Sequence, residues 1–238
     1  EDFEQKAAAV KLFSLRTPHN PLGIVCTREQ LTRMCEICIR NHVLIVSDEI
    51  HSDLIFHGKK HIPTATLSPD IASHVIACTS GTKTFNLAGI QAAAIIFPNQ
   101  ELKAVYDKFW VNLDIHRNNS FSSVIMETAF NEGEEWLEQL LEYISGNFDF
   151  IHEYCKEHIP QIKPNLPDAT YLVWLDCRDL GMTNEELREF MIHKAGLGLN
   201  EGWAFGRSLS GYMRLNAACP RSVIEKALKQ LETAVAAL

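Results

Sequence analysis

Short apolar runs alternate along this chain with longer stretches in which apolar positions recur every three or four residues, the pattern of strands exchanging with helices. Residues 10–15 form a strand candidate that ends in a loop stiffened by Pro18 and Pro21 and turned by Gly23. Thr27, with Gln30 three positions on, reads as a capping box and predicts a helix to about residue 40. Residues 43–46 are all apolar and give way abruptly to Ser47, Asp48 and Glu49, as in a buried parallel strand that delivers its polar end to the sheet edge. Residues 74–78 predict a second such strand, and 91–97 read as the next one. Helical periodicity covers 100–110, 120–131 and 134–157, the last long enough to bridge two domains. After Pro160, Pro164 and Pro167 comes a smaller unit. It comprises a strand over 170–175, a helix over 183–194 opened by Thr183 and Glu186, a strand over 212–216 and a helix from Arg221. The expected fold class is α/β, with a mainly parallel sheet in residues 1–140 and a small carboxyl-terminal α/β domain in residues 141–238.

Composition narrows the function classes. The chain has 238 residues, 46% apolar and 22% charged, enough for one large or two modest cores. A formal net charge of −8 disfavours nucleic acid and anionic membranes, which select basic patches. No apolar run approaches the roughly 20 residues that span a bilayer. The polar, acidic opening at Glu1 and Asp2 lacks the basic-then-apolar pattern of a secretory leader, so a cytoplasmic location is expected. Seven scattered cysteines suit reduced thiols. Cys35 and Cys38 form a C-x-x-C on a helix without a second ligand pair at zinc spacing, so core-facing thiols are expected and no metal site.

Three residues stand out chemically. Lys83, in Ser80-x-x-Lys83-Thr84-Phe85-Asn86, leaves the sheet after a strand, where open α/β sheets bind ligands; a sheltered lysine amine there can form a Schiff base, although alone it also reads as a loop lysine. Asp48 is delivered to the same edge and either caps a turn or meets a cationic ligand group. Arg214, within an apolar strand, needs a carboxylate: that of a substrate held by the guanidinium fork, or that of a structural salt bridge.

Four ordered motifs carry a family resemblance over nearly the whole chain: Pro18-His19-Asn20-Pro21-x-Gly23, Ser47-Asp48-Glu49-Ile50-His51-x-Asp53, Ser80-x-x-Lys83-Thr84-Phe85-Asn86-x-Ala88-Gly89 and Met213-Arg214-Leu215-Asn216-x-Ala218-Cys219-Pro220-Arg221. Together they resemble the fold-type I pyridoxal-phosphate enzymes, and within the class I/II aminotransferases the cystathionine β-lyase, or C-S lyase, branch. The resemblance implies a PLP-dependent transferase-like fold with pyridoxal 5'-phosphate as cofactor. Lys83 would bond the cofactor and move the substrate's Cα proton, and Asp48 would pair with the pyridinium nitrogen. Asn20 would bond the phenolic oxygen and Ser80 the phosphate, with His51 completing the cofactor set and Arg214 gripping the substrate carboxylate. His51 stands where many aminotransferases carry tyrosine and Gln91 where many carry a phosphate-binding arginine, departures compatible with the lyase branch.

The implied activity is β-elimination from a sulfur amino acid such as cystathionine, giving pyruvate, ammonia and a thiol. The alternatives are transamination and a catalytically silent module that only docks. Only 15 residues precede the loop that opens at Arg16, so the chain reads as a carboxyl-terminal fragment of a homodimeric parent, and weak cofactor binding by the fragment itself is expected.

Overall fold

The computed structural model describes residues 2–115 and 118–238. After helix α1 (Asp2–Ala7), three strands, β1 (Leu12–Arg16), β2 (Leu44–Asp48) and β3 (Val75–Thr79), lie side by side and parallel. Two helices make the crossovers, α2 (Arg28–Arg40) from β1 to β2 and α3 (Pro69–Ala72) from β2 to β3. The Thr27 hydroxyl accepts from the Gln30 N–H and the Gln30 side chain accepts from the Thr27 N–H, so the reciprocal cap forms as the sequence predicts. Leu31, Cys35 and Cys38 recur at helical spacing along α2 and join Leu15, Val43, Ile45, Ile71, Val75 and Ala77 in one buried cluster. The C-x-x-C pair is therefore core, and burial pushes the Cys35 thiol up to about 12. Among the described residues no group of side chains is arranged to hold a metal ion, and no helix is long and apolar enough to cross a membrane.

One strand departs from expectation. Where 91–97 reads as a further parallel strand, β4 (Ala94–Ile96) is short and runs antiparallel to β3. The link from β3 holds only the one-turn helix α4 (Gly81–Thr84) and a 3₁₀ turn at Ala88–Ile90. Neither is long enough to carry the chain back along the sheet as α2 does, so β4 enters antiparallel, without the helical crossover usual between parallel strands. Helices α5 (Gln100–Asn112) and α6 (Ser122–Glu132) come next; α5 contributes no buried residue, and Val105 and Phe109 are exposed.

The chain divides into two compact units, one of residues 1–19 and 24–138, the other of residues 20–23 and 139–238. The long helix α7 (Glu134–His158) begins in the first and continues in the second. In the second unit β5 (Lys163–Pro164), β6 (Leu172–Asp176), β7 (Asn200–Glu201) and β8 (Tyr212–Asn216) form an antiparallel sheet in the order β5-β6-β8-β7. Helix α8 (Asn184–Glu189) opens with the Thr183/Glu186 capping box and runs into a π turn at Phe190–Lys194. Helix α9 (Arg221–Val235) closes the chain. Residues 144, 148, 151 and 155 of α7 and 224, 228 and 231 of α9 are buried at helical spacing.

Residues 20–23 are held within this second unit by specific bonds. The Trp174 indole N–H donates to the Pro21 carbonyl at 2.7 Å, and the Ala169 N–H donates to the Gly23 carbonyl at 3.0 Å. Gly23 has φ of +67°, and a Cβ there would lie 2.6 Å from Pro167 Cβ and 2.8 Å from the Ala169 carbonyl oxygen. Gly23→Ala therefore combines left-handed backbone strain with a clash, and urea denaturation should register a loss of at least about 1–3 kcal/mol.

Candidate functional site

The first unit brings Asp48, His51, Ser80 and Lys83 to one sheet edge. Asp48 is the last residue of β2 and sits opposite Cys78 of β3 in the parallel register. Two residues beyond Cys78 the chain reaches Ser80, which caps α4, and Lys83 lies on that helix. Lys83 and Asp48 are half-buried, and His51 is buried in the turn after β2. The Asp48 carboxylate accepts one long bond, 3.4 Å, from the Ile50 N–H. Burial pushes the Cys78 thiol up, with the Asp48 and Glu49 carboxylates adding to the effect.

Ser80 is well occupied. Its hydroxyl accepts from the Thr82 N–H at 3.1 Å, lies 2.7 Å from the Thr82 hydroxyl and donates its proton to the Ala92 carbonyl at 2.6 Å. As it stands Ser80 is a helix cap that also ties α4 to the segment before β4.

Glu49, beside Asp48, behaves differently. It is buried, and its carboxylate receives bonds from the Ser47 hydroxyl at 2.8 Å, the Thr64 N–H at 3.0 Å and the His61 Nε2 at 2.9 Å. Ser47 and Thr64 share a further hydroxyl contact at 2.8 Å. Burial alone would raise the Glu49 carboxyl, but the bonds from His61, Thr64 and Ser47 outweigh it and hold it below the ordinary carboxylate range. This network fixes the backbone just after β2, and strand alternation gave a signal for it: Ser47 and Glu49 share the buried face, leaving Asp48 on the other.

In the second unit Asn20 and Arg214 meet directly. Arg214 Nη1 donates to Asn20 Oδ1 at 3.1 Å and Nη2 donates to Asn200 Oδ1 at 2.8 Å, while the guanidinium lies 4.4 Å from the centre of the Phe205 ring. Its Nε is buried without a hydrogen-bond partner. Among the described residues no carboxylate lies within ion-pairing distance of Arg214, so the salt-bridge alternative finds no partner. Burial lowers the guanidinium's proton affinity, and the group stays charged. Asn200 and Phe205 carry no sequence mark of this role, since both reach Arg214 only through the folding of β7 and the turns after it.

The model for aminotransferase class I and II matches residues 1–231. The chain belongs to the class I and II aminotransferase family. A curated relative, cystathionine beta-lyase PatB of Bacillus subtilis, is 38% identical over 99% of the chain and 61% of its own length. Cystalysin of Treponema denticola, solved with pyridoxal 5'-phosphate, superposes with a TM-score of 0.96 at 31% identity, over 99% of this chain and 60% of its own. A PLP-bound chain of Clostridium difficile 630, provisionally named an aminotransferase, also gives 0.96, at 44% identity over 98% and 60%. This class I and II chain thus spans about 60% of the length of the relatives it matches.

The sign of the Glu49 shift gives a pH dependence. A carboxyl held lower in the folded state than in the unfolded one contributes stability above its ordinary value, about 4.3, and loses it as pH falls through the folded value. Thermal melts should show wild type losing stability below about pH 4 more steeply than Glu49→Gln, whose neutral amide does not titrate.

Proposed function

We propose that the protein carrying this chain is a pyridoxal-phosphate-dependent C-S β-lyase acting on sulfur amino acids of the cystathionine kind. The observation that carries the cofactor reading is the delivery of Lys83 and Asp48 to one edge of parallel strands, from β3 and β2 respectively. The donor set fits such a group: an under-bonded carboxylate suits a protonated ring nitrogen, and a half-buried guanidinium whose Nε–H has no partner suits a carboxylate. When bound, pyridoxal phosphate supplies an aldehyde that bonds amines and a conjugated ring that accepts the electron pair from Cα.

The chain's own residues then have distinct tasks. Asp48 would keep a proton at the ring nitrogen, and Lys83 would bond the aldehyde and serve as the base for the substrate's Cα proton. Asn20 turns its Oδ1 to Arg214, so its amide nitrogen is the atom that would donate to the cofactor's phenolic oxygen. His51 is assigned to the same cofactor set, and Ser80 would serve a phosphate only by releasing the Ala92 carbonyl. Arg214 would bind the substrate's α-carboxylate. Loss of that proton with rupture of the Cβ–S bond releases a thiol, and the unsaturated amine left behind hydrolyses to pyruvate and ammonia. Residues 1–140 are taken as the remaining part of the cofactor-binding large domain and residues 141–238 as the small domain, in a homodimeric, cytoplasmic protein.

Transamination remains the second reading, favoured by the provisional name of the Clostridium difficile relative. Assays of the whole protein separate the two. Cystathionine alone should yield pyruvate without added keto acid, and strict dependence on a keto acid would overturn the lyase reading. Lys83→Ala should abolish turnover.

Arg214→Lys keeps the charge but loses the planar fork, so kcat/KM should fall by about 2 kcal/mol in transition-state terms with folding little changed. Unfolding of that variant with normal residual kinetics would assign Arg214 to structure.

A further inference from the structure

Lys83 rides on a helix of one turn, too short to hold its own shape, so something else must fix where the lysine points. At its start α4 is held by the Ser80 cap. At its end, the residue after Lys83 is Thr84, whose side chain is fully buried and whose hydroxyl donates to Asp53 Oδ2 at 2.7 Å. A threonine hydroxyl has one proton, and a helical threonine commonly gives it to the carbonyl four residues back. Thr84 instead sends it across 31 positions of sequence to a carboxylate, which makes the stronger, charge-assisted bond. Asp53 lies in the turn after β2, five residues beyond Asp48 and two beyond His51. One bond therefore joins the segment bearing Asp48 and His51 to the helix bearing Lys83.

We propose that Thr84 and Asp53 are positioning residues for Lys83, locking the lysine's helix to the turn after β2 so that the amine is presented in one orientation. This rests on the assignment of Lys83 as the reacting amine. The bond holds at the far end of α4 what the Ser80 cap holds at the near end. Neither residue needs to touch substrate: Thr84 is buried, and its proton is committed to Asp53.

The test uses the whole protein freed of cofactor, with trace acetylation by acetic anhydride and mass spectrometry to read the reactivity of Lys83 against exposed Lys60. Thr84→Val keeps the volume and removes the donor, whereas Thr84→Ser keeps the donor. In Thr84→Val, Lys83 labelling should rise toward the Lys60 level, and in the reloaded enzyme kcat should fall about tenfold to a hundredfold with KM nearly unchanged. Thr84→Ser should restore most of both. If Thr84→Val fails to fold, Asp53→Ala removes the same bond from the half-buried side and should give the same rise in labelling. Equal loss in the serine and valine variants, or unchanged Lys83 labelling in both Thr84→Val and Asp53→Ala, would overturn the proposal. Because labelling needs neither cofactor nor substrate, it separates this outcome from a wild type that proves to be no lyase.

Discussion

Parallel strands all end at the same edge of a sheet, and that constraint organises the first unit. Strands β1, β2 and β3 run the same way, so the segment leaving each is carried to one rim without any further device. Strands β2 and β3 start apolar and turn polar at their ends, β2 at Ser47 and Asp48 and β3 at Thr79. The rim is where backbone groups run out of partners within the sheet, and the chain meets the need with local bonds. The Asp48 carbonyl accepts from the Thr17 N–H at 3.0 Å, the Cys78 carbonyl accepts from the Glu49 N–H at 2.8 Å, and the Ser80 side chain caps α4. A reactive lysine placed there stands on a frame fixed by two strands at once.

How much of this was legible in the sequence depends on the range of the forces involved. Capping boxes at Thr27 and Thr183 act over three residues, so their side chains announce them, and both form. Strand β8 was legible to the residue because an apolar alternation runs its full length. Helices α5 and α6 were legible although α5 buries nothing, since periodicity is a property of the segment itself. The direction of β4 was not, because it depends on how far the preceding link travels. Asn20, Asp48, Lys83 and Arg214 stand out through their motifs, but their partners do not. Asn200 stands 14 positions from Arg214, His61 stands 12 from Glu49 and Asp53 stands 31 from Thr84, and no local pattern joins such pairs.

In the second unit the choice of partners around Arg214 is itself informative. A buried guanidinium balanced by a carboxylate is a closed arrangement, and opening it to admit a ligand would sacrifice the ion pair. Two carboxamides and an aromatic face orient the fork while leaving its charge unneutralised. The desolvation penalty of that charge is then recoverable by an incoming anion. Asn147 plays a related part nearby without charge. Fully buried in α7, it donates to the carbonyls of Ala217 and Cys219 and accepts from Arg221 Nε at 2.7 Å, fixing the chain that leaves β8 two residues after Arg214.

Asp48 and Glu49 show how satisfaction separates structure from chemistry within one dipeptide. Strand alternation sends adjacent side chains to opposite faces, so two carboxylates of nearly equal intrinsic chemistry enter unlike surroundings. Glu49 collects three donors, one of them a histidine, and its negative charge is fully employed in holding the turn after β2. Asp48 keeps one long bond and is half-buried, which leaves a carboxylate with lone pairs to spare at the rim where Lys83 stands. Exchanging the two residues would preserve composition and net charge. It would place the longer side chain at the rim and the shorter one where three donors converge, so both the turn and the charge at the rim would be displaced together.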